Sequence, residues 1–150
     1  MKLRLAPILL AFFCASCTPG ASGAGGAPTT GAAKTIDVSL TAFAAAQTSA
    51  GAGYSPLMLT VPVGTTLRFV NTDGFAHTAT KIGGTSFPGP YPFTSGALTQ
   101  TGSALSGAWS TGALNAGAAS QTFIADQPGT YIFGCFFHYE APMRGVIIVQ

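Results

Sequence analysis

Charge is what this chain has least of. Only 7% of its 150 residues are Asp, Glu, Lys or Arg. Two of the six basic residues, Lys2 and Arg4, fall in an N-terminal segment that reads as removable, and the rest, Lys34, Arg68, Lys81 and Arg144, balance Asp37, Asp73, Asp126 and Glu140. A net charge near zero offers no basic footprint for nucleic acid and no polybasic patch for anionic lipid. Histidine is equally scarce, with two in the whole chain, and no Met-rich or His-rich tract occurs. No apolar run approaches the roughly 20 residues that a bilayer-spanning helix needs. No stretch carries a 3.6-residue apolar period, which argues against a helical bundle. Of three cysteines, Cys14 and Cys17 lie at the processed end, so no disulfide can form within the remaining domain and Cys135 is left alone. A lone thiol in an exported protein is exposed to oxidation unless it is buried, metal-bound or catalytic.

The beginning of the chain reads as a targeting segment. Met1 to Arg4 is a positive n-region and Leu5 to Phe13 an apolar h-region. The run ends in Cys14-Ala15-Ser16-Cys17, which resembles the lipobox of bacterial lipoproteins with Cys17 as the lipidated residue, although Cys14 stands where that pattern usually has an aliphatic residue. Ordinary cleavage further on, near Ala21 to Ala24, is the alternative. Residues 1–17 are therefore expected to be a signal or lipoprotein segment. Residues 18–33, rich in Gly, Ala, Pro, Ser and Thr, read as a flexible tether. Residues 34–150 are expected to be a single domain, a size that suffices for one core and not for two.

Within that domain, short β-branched and aromatic stretches alternate with Gly and Pro punctuation. Thr35 to Phe43, Leu57 to Val61, Thr66 to Asn71, Ala76 to Ile82, Ser120 to Ala125, Gly129 to Cys135 and Gly145 to Gln150 read as strands, with a turn at Pro62-Val63-Gly64-Thr65. Residues 83–119 lose periodicity and are expected to hold a loop with one or two edge strands, anchored by Phe87, Tyr91, Phe93 and Trp109. Met58, inside a strand, reads as core filling. The pattern predicts an all-β fold, a Greek-key β-sandwich of seven or eight strands.

The text from Gly129 to Gly145 places Cys135, His138 and Met143 in one loop between two strands, and His77 follows the end of another. Thiolate, two imidazoles and a weak axial thioether are the soft and borderline donors that suit copper in both oxidation states. Zinc accepts Cys and His but gains little from Met, and structural zinc sites commonly use several thiolates. A cysteine hydrolase using Cys135 and His138 lacks an evident acid partner or oxyanion site.

With those residues in view, the chain resembles the cupredoxins of the plastocyanin and pseudoazurin branch over roughly Lys34 to Gln150, the middle loop excepted. In that family two residues separate the ligand Cys from the second His and four more separate that His from Met, as in Cys135, His138 and Met143. Val61 to Asn71 resembles the strand leading to the first His ligand, which falls on His77. Phe137 and Pro142 stand where the family often has Pro and Gly. The resemblance implies one type 1 copper ion held by His77, Cys135, His138 and Met143 in a one-electron carrier that is not an enzyme. It also implies redox partner proteins docking near a surface-lying His138, on an apolar patch of Phe136, Phe137, Tyr139 and Pro142 rimmed by Glu140 and Arg144. An extracytoplasmic copper-delivery module is the alternative. Partners are not expected to include nucleic acid, and the membrane is expected only through the lipid anchor. The protein is expected to be a monomer, periplasmic or otherwise extracytoplasmic.

Overall fold

The computed structural model describes residues 34–38 and 53–150; the expected signal segment, the tether, Cys17 and the continuation of the first strand to Phe43 lie outside them. Ten strands occur among the described residues: β1 (Lys34–Val38), β2 (Tyr54–Ser55), β3 (Met58–Val61), β4 (Thr66–Asn71), β5 (Thr80–Lys81), β6 (Gln100–Thr101), β7 (Ser110–Thr111), β8 (Phe123–Ile124), β9 (Gly129–Gly134) and β10 (Arg144–Val149). They form two sheets, ordered β2-β1-β4-β8 and β3-β10-β9-β5-β7-β6. Consecutive strands change sheet at β2 to β3, β3 to β4, β4 to β5, β7 to β8 and β8 to β9, so the chain wraps one core between two layers. The all-β sandwich is as expected. The strand number exceeds seven or eight because β2 is a two-residue pairing that no alternation reveals, and because residues 83–119, expected to hold one or two edge strands, hold both β6 at the sheet edge and β7 beside it.

The longer strands form where the residues alternate. In β10, Gly145, Ile147 and Val149 are buried while Arg144, Val146 and Ile148 are half-buried. In β4, Leu67, Phe69 and Asn71 face inward. Between the sheets, Ile36, Leu67, Phe69 and Phe123 meet Val61, Phe133, Ile147 and Val149. Each such apolar side chain contributes roughly 1.5–3 kcal/mol when fully buried. Phe69 is the hub, its ring centroid 5.3 Å from Phe133, 5.7 Å from Phe123 and 5.9 Å from Trp109.

Residues 83–119 contribute the 3-10 turn Ser95–Leu98 and strands β6 and β7. Trp109 anchors them in the core, as expected. Lys81 adds a second tie: its Nζ donates to the carbonyls of Leu105, Ser106 and Gly107 at 2.9, 2.6 and 2.8 Å. Met58 is not core filling. It is 61% exposed on the outer face of β3, an edge strand that buries only Val61 completely.

Candidate metal centre

The hairpin β9–β10 brings two of the sequence-selected residues together. Gly134 pairs with Arg144 at its last rung, so Cys135 and Met143 stand opposite each other at the foot of the connecting loop, and Cys135 N–H donates to Met143 O at 3.1 Å. The loop then turns on one carbonyl: the N–H groups of Ala141 and Met143 both donate to His138 O, at 3.0 and 2.9 Å. Gly134 allows this closure, because a Cβ there would sit 2.9 Å from Tyr139 Cδ2.

His77 arrives from the other sheet. The buried Asn71 at the end of β4 donates through Nδ2 to Phe75 O at 2.6 Å and Leu114 O at 2.8 Å, and its Oδ1 accepts from Asp73 N–H at 2.9 Å. These bonds fold residues 71–76 into a tight turn. A two-bond bridge to Leu114, at 3.0 and 2.7 Å, then fixes the His77 backbone.

Cys135 Sγ lies 3.8 Å from His77 Nδ1 and 3.6 Å from His138 Nδ1. All three donor atoms lie within 4.8 Å of one another. A first-row ion bound at roughly 2.0–2.3 Å from N and S donors, the range known for zinc, can touch all three at such spacings. Met143 is fully buried in the same cluster as Cys135. His77 and Cys135 are buried, and His138 is half-buried.

Burial sets the electrostatics. It lowers the pKa of His77 against the opposing pull of Asp73, and it lowers that of His138, helped by the neighbouring His77. It raises the Cys135 thiol, partly offset by hydrogen bonds from Thr78, Phe137 and His138. The imidazoles are thus held neutral, ready to donate a lone pair, while the thiol must lose its proton to a metal.

Several groups that sequence patterns did not single out complete the site. Asp73 Oδ2 lies 3.1 Å from His77 Nε2. Thr78 N–H points at Cys135 Sγ, 3.4 Å away; its Oγ1 accepts from Phe136 N–H at 2.8 Å and its carbonyl from Tyr54 OH at 2.6 Å. Gly53, with φ +80°, lies against Met143 so closely that a Cβ would stand 2.4 Å from Met143 Cγ. Asp73 and Gly74 form a turn signal four residues before His77, which was the readable clue; Gly53 and Thr78 touch the loop only through the fold.

The surface around His138 differs from the expected patch. Tyr139 is 1% exposed and belongs to a small second core with Ile82 and Ile132. Phe137 is 45% exposed, and Phe75, in the turn before His77, is 65% exposed. Phe136 and Pro142 are half-buried.

Among solved structures, the chain is similar to a novel purple cupredoxin from Nitrosopumilus maritimus, at 24% identity over 78% of this chain and 99% of that one, with a TM-score of 0.49. It is similar to auracyanin from Roseiflexus castenholzii at 22% identity over 79% and 96% of the two chains, with a TM-score of 0.49. A copper-containing nitrite reductase from Thermus scotoductus matches at 26% identity over 77% of this chain but only 22% of the enzyme, with a TM-score of 0.46. No curated protein matches the chain. Residues 42–150, most of the chain, match the family described as "Copper binding proteins, plastocyanin/azurin family". On that match, and with a Cys and two His donors converging at one point, the chain belongs to the copper-binding cupredoxins.

Proposed function

We propose that this protein is a one-electron carrier whose single copper ion would be held by His77, Cys135 and His138, with Met143 as a weaker fourth donor. The observation that carries the reading is the convergence of Cys135 Sγ on two imidazole Nδ1 atoms, 3.8 and 3.6 Å away, with Met143 buried in the same cluster as Cys135. Copper, when bound, supplies the Cu(I)/Cu(II) couple, and this donor set is the one associated with blue electron-transfer sites.

The chain's own residues supply restraint and access. Asn71, the Leu114 bridge and Asp73 hold His77 in place, and Thr78 holds both Cys135 and the start of the loop. A donor set so braced changes little between oxidation states, which keeps the cost of reorganisation small. Cys135 and Met143 are sealed from water, whereas His138 reaches the surface beside Phe137. That edge is where a redox partner would dock, over a small apolar contact of the kind that suits transient exchange. The absence of Met-rich or His-rich tracts counts against copper delivery as the main role.

The N-terminal segment supports export with lipidation at Cys17 and a tether of residues 18–33. Mass spectrometry of the mature protein tests that part: a diacyl or triacyl Cys17 supports it, and an unmodified N-terminus beyond Cys17 contradicts it. Visible absorption tests the copper reading. The loaded protein should show the intense thiolate-to-copper band of a blue site, and copper bound without that band would contradict it.

A further inference from the structure

Residues 87–93, Phe-Pro-Gly-Pro-Tyr-Pro-Phe, lie in no strand and in the part of the chain where sequence patterning is weakest. They fold over the 135–143 loop and grip it through two reciprocal phenol bonds. Tyr91 OH donates to the carbonyl of Phe136, the residue after Cys135. In the opposite direction, Tyr139 OH donates from the loop to Pro88 O at 2.8 Å. Edge-on ring contacts accompany the bonds: Tyr91 to Phe136 at 5.8 Å, Tyr91 to Tyr139 at 6.2 Å and Phe93 to Tyr139 at 5.5 Å. The Arg144 guanidinium lies 4.0 Å from the Tyr139 ring and 5.7 Å from that of Phe87, joining the foot of β10 to the same stack.

Two features make this a device rather than casual packing. Pro88, Pro90 and Pro92 alternate along the segment, and each fixes φ, so little conformational freedom remains to be lost when it closes on the loop. The gripped backbone is also the short path between two donors: Phe136 O sits one residue after Cys135 and two before His138. We propose that residues 87–93 are a clamp that holds the ligand loop in its donor-bearing conformation, with Tyr91 as the positioning residue, and that the clamp thereby slows escape of the bound ion. The second half rests on the copper reading above; the first does not.

The test uses the full chain with Tyr91→Phe, which removes the hydroxyl and keeps the ring, and Tyr91→Ala, which removes both. In copper-free protein, amide hydrogen exchange is followed at Ala141 and Met143, whose N–H groups close the loop on His138 O. Exchange there should quicken by about tenfold in Tyr91→Ala and by less in Tyr91→Phe, with β9 and β10 amides unchanged. Release of Cu(I) from loaded protein to an excess of chelator should quicken in the same order. Exchange within twofold of the parent in both variants would overturn the clamp. Faster exchange with unchanged release would overturn its role in retention. Faster exchange in the variants, together with a parent chain that takes up no copper, would support the clamp while sinking the copper reading, so the two failures are distinguishable. Should Tyr91→Ala fail to fold, Tyr91→Phe and Tyr139→Phe, each lacking one hydroxyl, carry the same test.

Discussion

Asp73 Oδ2 lies 3.1 Å from Nε2 of His77, and this contact decides which ring nitrogen is left for a metal. With Nε2 holding the proton for the carboxylate, Nδ1 keeps its lone pair on the side facing Cys135 Sγ, 3.8 Å away. Such outer partners orient a ligand histidine and raise its basicity. Asp73→Asn should therefore weaken copper binding by about 10–100-fold while the β-fold persists. Competition titration against a chelator, with circular dichroism as control, checks this, and unchanged affinity would assign Asp73 to turn formation alone.

Gly53 sets the room available to the Met143 side chain. Ala there would place Cβ 2.4 Å from Met143 Cγ at a φ of +80°, so the methionine or the Gly53 backbone must shift. Overpacking of this kind costs about 1–3 kcal/mol. Gly53→Ala should keep copper but change the visible spectrum. A spectrum superimposable on the parent's would show that Met143 is not part of the site.

Met143 itself should tune the site without emptying it. Met143→Leu removes a donor that favours Cu(II), so the reduction potential should rise, whereas the amide oxygen of Met143→Gln should lower it. Protein-film voltammetry on the three proteins gives the order. Potentials equal within error would remove Met143 from the donor set.

What was legible in the sequence, and what was not, follows from the range of the interactions. The β9–loop–β10 segment carries alternation on both sides of three donor residues, and an antiparallel hairpin has no choice but to bring Cys135 and Met143 together. His77 was found because it follows a well-patterned β4. By contrast, Tyr54 OH reaches Thr78 O across 24 residues and Thr78 N–H reaches Cys135 Sγ across 57, and no local period encodes either contact. Phe87, Tyr91 and Phe93 read as anchors of their segment, but their partner is a loop far along the chain, and no period of two encodes that contact. Met58 reads as core filling, yet lies outside, because alternation marks two faces of a strand without saying which is inside, and at an edge the outer face is open. Tyr139, grouped with the surface aromatics, is instead inside, its ring packed with Ile82 and Ile132 and its hydroxyl satisfied by Pro88 O.

The copper-free protein should be most stable between about pH 6.5 and pH 8.5. Burial lowers the pKa values of His77 and His138, so the folded state takes up protons less readily than the unfolded chain. Their contribution is complete above about pH 6.5 and is lost as pH falls through the depressed values. Burial raises the Cys135 thiol, so its contribution is complete below about pH 8.5 and is lost as pH rises through the raised value. Thermal melts carried beyond that range on both sides, from about pH 5 to about pH 10, should show both limbs, and the alkaline limb should disappear in Cys135→Ser. An alkaline limb that survives in that variant would mean that another group produces it.

Copper held by Cys135, His77 and His138 through the thiolate would have its own optical signature. Titrating Cu(II) into the protein while recording visible absorption tests it most directly, with Cys135→Ser as the paired sample. The intense thiolate-to-copper band should grow to saturation at one equivalent in the parent and be absent from Cys135→Ser, whose β-fold remains. A parent that binds copper without the band, or a Cys135→Ser protein that keeps it, would contradict the account.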